Sequence, residues 1–308
     1  MSDYAIDVKH LKKHFGKTVA VDDVSIQMPK GKVWGFLGPN GSGKTTTIRM
    51  ICGLLKPTDG EGTALDLDII EQASEIKRRT GYMTQRFSFW TDMSIRENLE
   101  FVARLYQLPN RKALVDETIA QLGLSDRQQQ LAGALSGGWK QRLALAAVTM
   151  HQPDLLLLDE PTAGVDPQAR RDFWDEIHRL TNNGVTVLVS THYMDEAERC
   201  DKIVYLANGK LITQGRVQEI IEKSGLITFR ARGDAVRDLA PKFQQQDGVE
   251  HAAYFGAALH VSGTDADKLK QTIERIAPDA EFKQVETSLE DTFIALMRRA
   301  GQDLRVHQ

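Results

Sequence analysis

Two stretches of this chain carry residue types arranged for phosphate chemistry. Gly38-Pro39-Asn40-Gly41-Ser42-Gly43-Lys44-Thr45 follows an apolar run at 33–37 and precedes a helical one at 46–52. Glycines at this spacing let successive backbone N–H groups converge on phosphate oxygens, and the helix that follows adds partial positive charge. Lys44 is expected to reach the β- and γ-phosphates of a nucleoside triphosphate and Thr45 to hold Mg²⁺, with Thr46 a further phosphate-side contact. The second stretch, Leu155-Leu156-Leu157-Leu158-Asp159-Glu160, ends a buried strand in two acids. In a doubly wound sheet that strand edge faces the ligand. Asp159 is expected to orient Mg²⁺ and its waters. Glu160 is expected to polarise the attacking water as general base, a role that typically contributes ~10²–10⁴-fold in rate.

These residues need a layered scaffold, and the sequence supplies one. Over the first 220 or so residues, short apolar runs at 33–37, 155–158 and 185–189 read as buried parallel strands. Helical spacing at 95–105 and 170–180 separates them, which argues for an α/β domain. The alternation at 4–8 and at 24–28 suggests antiparallel strands at one edge. Asn208-Gly209 suits the two positive-φ positions of a tight hairpin. A break at Lys223-Ser224-Gly225 predicts two domains, 1–224 and 225–308. The second reads as strand 226–232, helix 235–243, strands 249–255 and 257–261, helix 265–276, strand 280–285 and helix 289–300. Its first six elements run βαββαβ, the order of a small α+β ferredoxin-like fold. Ser288-Leu289-Glu290-Asp291 resembles a capping box at the start of the last helix.

Composition narrows the function classes. The 308 residues are 41% hydrophobic and 26% charged, with net charge −3, an ordinary globular balance. That charge offers no basic surface for nucleic acid, so none is expected as a partner. Two cysteines, Cys52 and Cys200, build neither a disulfide framework nor a zinc cluster and fit a reducing cytosol. No apolar run approaches the ~18 residues that a membrane span needs. Met1-Ser2-Asp3-Tyr4 lacks a basic and then apolar export signal.

A third segment, Leu135-Ser136-Gly137-Gly138-Trp139-Lys140-Gln141-Arg142, precedes an apolar helical run at 143–150. Ser136 can cap that helix, while Gly137 and Gly138 allow close approach to an anion. With this segment in place, residues 4–220 resemble the ABC ATPases in the identity, order and spacing of their motifs. The resemblance implies a P-loop NTPase core with an antiparallel β edge and a helical signature subdomain, ATP as substrate and Mg²⁺ as cofactor. It implies that Ser136, Gly137 and Gly138 bind the γ-phosphate of ATP held by the other subunit, so that two ATP are sandwiched in a head-to-tail dimer. Gln85 looks like the Q-loop glutamine, which touches Mg²⁺ and the membrane partner. Ala163-Gly164-Val165-Asp166 is similar to the D-loop linking the two sites. His192 looks like the switch histidine near the γ-phosphate, and Phe15 stands where the family places an aromatic under adenine. Trp139 departs from the glutamine common after LSGG; it either packs beneath the helix or contacts the partner subunit.

Residues 159–167 and the segment 288–293 resemble the type-two export branch, which includes drug-resistance ATPases. That implies a separate ATPase polypeptide, a homodimer, paired with transmembrane permease subunits and exporting drugs or other amphipathic compounds. The expected location is cytoplasmic, peripheral on the inner face of the membrane through the permease. Phe87, Phe89 and Trp90 follow Gln85 closely. They either line the groove for a coupling helix of the permease or pack between the lobes. The rival is a soluble ABC ATPase acting on nucleic acid or ribosomes, which the single core and the near-neutral charge disfavour. An importer ATPase is nearer in mechanism, but the C-terminal segment favours the exporter branch.

Overall fold

The structure, a computed structural model, describes residues 2–306. The strands of its first part are β1 (Tyr4–Phe15), β2 (Thr18–Pro29), β3 (Val33–Leu37), β4 (Asp59–Ala64), β5 (Leu67–Asp68), β6 (Thr80–Met83), β7 (Leu155–Asp159), β8 (Thr186–Thr191), β9 (Lys202–Ala207) and β10 (Lys210–Gly215). Among them lie helices α1 (Lys44–Ile51), α2 (Ala73–Arg79), α3 (Ile95–Leu105), α4 (Arg111–Gln121), α5 (Gly137–Thr149), α6 (Pro167–Asn182) and α7 (Met194–Ala197).

One sheet has the order β10-β9-β3-β8-β7-β6, and its pairings from β9 to β6 are parallel. Every residue of β3, β7 and β8 is buried, which is why their centres read as apolar runs. Asn208 and Gly209 both take positive φ, 51° and 78°, in the turn between β9 and β10. The second sheet, β2-β1-β4-β5, is antiparallel. Its Ile6, Val8, Ile26 and Met28 share one core with Trp34, Phe36, Leu155 and Leu157 of the parallel sheet. Strand β4 carries no apolar alternation. Its Gly60 and Gly62 are required because a Cβ there would come within 2.5 and 2.4 Å of β1 carbonyl oxygens. Helices α3, α4 and α5 form a separate lobe around Leu99, Val102, Val115, Ile119 and Leu143. No helix among the described residues is long and apolar enough to cross a membrane.

The chain divides into two compact units, Met1–Leu211 and Ile212–Gln308. This division falls within β10, ahead of α8 (Val217–Ser224). Gly225, in the left-handed region at φ 65°, is the C-cap of α8, so the break in the sequence marks a helix end. The second unit continues with β11 (Ile227–Arg232), α9 (Ala240–Gln244), β12 (His251–Phe255), β13 (Ala258–Gly263), α10 (Ala266–Ile276), β14 (Lys283–Val285) and α11 (Leu289–Val306). Its sheet order, β12-β13-β11-β14 with all neighbours antiparallel, is that of a split βαββαβ unit. The helix expected over 235–243 is reduced to a 3₁₀ turn, Asp234–Val236, and the short α9. Asp238 takes the left-handed φ of 62° between them and interrupts the run.

Asp291 anchors α11 to the sheet. Its carboxylate receives hydrogen bonds from the Ser288 hydroxyl and backbone N–H, and lies 3.0 Å from His251 Nε2 and 3.1 Å from His260 Nδ1. Ser288 Oγ accepts the Asp291 N–H in return, which completes the capping box. Burial alone would raise the Asp291 pKa, but the bonds from His251 and Ser288 outweigh it and hold the carboxyl at about 2. A carboxyl depressed in the folded state stabilises fully above its unfolded pKa near 4, and loses that contribution as pH falls through about 2. Asp291→Asn is therefore expected to cost about 2 kcal/mol at pH 7, a deficit that shrinks between pH 4 and pH 2. Urea unfolding of both proteins across that range checks the sign and the window.

Candidate functional site

The phosphate loop leaves β3 at the carboxyl edge of the parallel sheet. At Gly38 (φ 145°) a Cβ would lie 2.0 Å from the Leu206 carbonyl oxygen, and at Gly43 (φ 98°) 2.6 Å from that of Ala20. Neither position accepts a side chain, because the loop packs against the Leu206 and Ala20 backbone, whereas at the exposed Gly41 nothing lies within 4 Å of a Cβ position. Asn40 and Gly41 are exposed at its tip, Pro39 is half-buried, and Thr46 stands half-buried in the first turn of α1. Lys44 Nζ donates to the Gly38 and Pro39 carbonyls at 2.7 and 3.2 Å and lies 3.9 Å from Glu160 Oε1. Burial pushes the Lys44 pKa down, while Glu160 and Asp159 act in the opposite direction. The Ser42 hydroxyl is buried with no hydrogen-bond partner among the described residues.

Strand β7 delivers the two acids. Asp159 accepts hydrogen bonds from Thr45 Oγ1 at 2.8 and 3.1 Å and from Ser190 Oγ at 2.6 Å. The β7–β8 register sets Asp159 opposite Ser190, so the strand pairing itself makes this contact possible. Glu160 takes the left-handed φ of 48°, a strained position for a residue with a side chain. Its backbone N–H is held there by the Ser190 carbonyl and hydroxyl at 3.1 and 3.0 Å. The Glu160 side chain, only 10% exposed, accepts from Gln85 Nε2 at 2.8 Å and lies 3.4 Å from His192 Nδ1. One carboxylate thus gathers Lys44 from α1, Gln85 from beyond β6 and His192 from beyond β8. Ser190 was not singled out in the sequence; it lies within β8, and its role comes from the register that sets it opposite Asp159.

Other expected residues stand apart from this cluster. Ser136 occupies the N-cap position of α5 but makes no side-chain cap bond, contrary to the capping expectation. Ser136 and Gly137 are exposed, and among the described residues neither they nor Gly138 hydrogen-bond to the phosphate loop. A Cβ on Gly138 would meet Ala169 Cβ at 2.8 Å and Asp166 Oδ2 at 3.7 Å, which places Asp166 beside its own chain's Ser-Gly-Gly segment. Asp166 caps α6 through the Ala169 N–H at 2.9 Å. Phe15 is 52% exposed at the end of β1, with Lys13 Nζ 5.3 Å over its ring. Trp139 packs on the helical lobe, with the guanidinium groups of Arg127 and Arg142 5.9 and 5.1 Å from its ring. Phe87 and Phe89 pack on the same lobe, whereas Trp90 is 44% exposed and meets Phe101 edge-on at 4.3 Å.

The donor set fits a nucleoside triphosphate with a hard divalent cation. The glycine-rich loop, the orphaned Ser42 hydroxyl and the buried ammonium of Lys44 suit phosphate oxygens. The Thr45 and Asp159 oxygens suit Mg²⁺, which takes few protein ligands beside phosphate and water.

A family model described as "ABC transporter" matches residues 21–163. The chain is 33% identical to Nod factor export ATP-binding protein I of Burkholderia orbicola, across 98% of this chain and 100% of that relative. It is 43% identical over 223 residues to the probable multidrug ABC transporter ATP-binding protein YbhF of Escherichia coli, 71% of this chain. The match spans only 38% of YbhF's own length. Among solved structures, the dimeric post-hydrolysis state of the ATP-binding cassette MJ0796 bound to ADP and Pi matches with a TM-score of 0.63 and 25% identity, across 68% of this chain and 98% of that one.

Proposed function

This chain belongs to the ABC transporter ATP-binding family, and on that premise we propose that it is the ATP-hydrolysing motor subunit of an exporter, acting as a head-to-tail dimer against a transmembrane permease. The observation that carries the reading is the buried Glu160 carboxylate, gathered by Gln85, His192 and Lys44 beside the Thr45–Asp159 pair.

The residues divide the work of hydrolysis. Backbone N–H groups of the loop 38–43 and the start of α1, through Thr46, receive the phosphates. Lys44 exchanges its loop carbonyls for the β- and γ-phosphates. Thr45, Asp159 and Gln85 would hold Mg²⁺, which would supply positive charge to offset the negative charge developing on the phosphates. Glu160 takes the proton from the attacking water, and His192 and Gln85 keep that carboxylate and the γ-phosphate in register. Phe15 stacks under adenine. Hydrolysis by the chain together with its permease tests this; turnover that is indifferent to Mg²⁺ would overturn it.

The exposed Ser136-Gly137-Gly138 segment, detached from its own phosphate loop, supports a site completed by a second copy. The dimeric state of the similar cassette points the same way. Asp166, beside that segment, then links the two sites. ATP favours the closed dimer and hydrolysis the open one, so each cycle shifts the population and moves the permease. Similarity to a Nod factor exporter subunit and to a probable multidrug subunit supports export of drugs or other amphipathic compounds from the cytoplasmic face.

For the permease contact the two aromatic groups separate. Phe87 and Phe89 use their faces within the helical lobe, so Phe89→Ala first tests packing. Trp90, five residues after Gln85, and Phe101 form an exposed aromatic pair suited to anchor a coupling helix. Trp90→Ala is expected to weaken retention by the permease about tenfold or more, with the fold intact. Equal co-purification of mutant and wild type would remove the pair from the interface.

A further inference from the structure

Behind the site lies a buried carboxylate that the roles above leave unused. Glu196, in the short helix α7, is fully buried. One of its oxygens accepts the Thr162 hydroxyl and faces Arg170 Nε at 3.6 Å. The other accepts Thr191 Oγ1 at 2.5 Å. Thr162 lies two residues after Glu160, Thr191 directly before His192, and Arg170 four residues after Asp166. A single carboxylate therefore ties together the exit from β7, the segment carrying His192 and the first turns of α6.

The geometry fixes both sides of His192. Thr191 Oγ1 donates to Glu196 and accepts the Tyr193 N–H at 3.1 Å, so the backbone before and after the histidine is held by one hydroxyl. The Tyr193 ring lies 4.2 Å from the His192 ring, and the Arg170 guanidinium sits 4.4 Å over Tyr193. Arg170 Nη1 also reaches Asp195 at 3.5 Å, so the only cation within ion-pair reach of Glu196 among the described residues is shared with a second acid. Burying this carboxylate is costly, and the donors that offset the cost come from three separate segments: Thr162, Thr191 and Arg170. The cost is explicable if the carboxylate's separate hydrogen bonds set the position of what they hold.

We propose that Glu196 is a positioning residue for ATP hydrolysis: it locks the segment carrying His192 to the strand exit carrying Glu160, so that His192 Nδ1 stays within reach of the Glu160 carboxylate. The inference rests on the roles proposed above for Glu160 and His192. Displacement of a catalytic group by about 1 Å can cost about 10²-fold, so loosening this lock slows chemistry more than it weakens ATP binding.

The test is a double-mutant cycle on the full chain, with kcat and KM for ATP measured alongside thermal unfolding. Glu196→Gln nearly preserves volume and keeps an oxygen acceptor while removing the charge. It is expected to lower kcat about tenfold or more with KM within about twofold, whereas His192→Ala lowers kcat further and the double mutant falls no lower than His192→Ala alone. Thr191→Val, close in volume, gives the same non-additivity by a second route should Glu196→Gln fail to fold. Unchanged kcat in the variants that fold, or losses that multiply with that of His192→Ala, would reduce Glu196 to a structural residue. Near-normal turnover by His192→Ala itself would instead overturn the switch role on which the inference rests.

Discussion

Glu160→Gln is expected to bind ATP and to lose about 10²–10⁴-fold in turnover. The substitution is nearly isosteric. Its amide oxygen still accepts from Gln85 Nε2, and the backbone N–H keeps its bonds to Ser190 in the left-handed conformation. What is lost is a group able to take a proton from water. Lys44, Thr45 and Asp159 are untouched, so the phosphate contacts survive and only the step after binding is blocked. In the proposed cycle hydrolysis reopens the dimer, so the variant should accumulate as a closed dimer when ATP and Mg²⁺ are added. Single-turnover hydrolysis and light scattering read the two effects separately. A variant with near-normal turnover would remove Glu160 from the base role.

The second large effect concerns the segment that the phosphate loop does not touch in its own chain. Ser136→Arg changes an exposed residue, so the fold and ATP binding to the mutant chain's own loop should persist. Turnover is expected to fall about 10²-fold or more, because the arginine obstructs the γ-phosphate of the ATP bound by the partner and removes an oriented donor. Lys44→Ala damages the opposite half of the site. Mixing equal amounts of the two inactive chains should restore about a quarter of wild-type turnover, since half of the dimers regain one of two equivalent sites. No recovery, with dimers demonstrably formed, would contradict a site shared between copies.

How much of this was legible depended on where the information sits. Strands β3 and β7 could be read because burial on both faces demands continuous apolar residues, and the phosphate loop because its glycines answer to a local backbone requirement. Strand β4 could not, because Asp59-Gly60-Glu61-Gly62 is selected by close approach to β1 and not by apolar alternation. Asp238, whose left-handed φ splits the expected helix, looks ordinary in sequence. Ser190 and Glu196 gain their significance from register and tertiary contact: Ser190 lies opposite Asp159 across β7–β8, and Glu196 reaches Thr162 from 34 residues away. The aromatic run after Gln85 was visible as a run, but only the packing separates the lobe-facing Phe87 and Phe89 from the exposed Trp90.

The central claim is that this ATPase drives a membrane permease, and co-purification tests it most directly. Glu160→Gln, tagged and recovered from gently solubilised membranes in the presence of ATP, should bring down a multi-helix membrane protein in stoichiometric amount. Recovery of ribosomes or nucleic acid with no membrane protein would contradict the account and make the chain a soluble ABC ATPase.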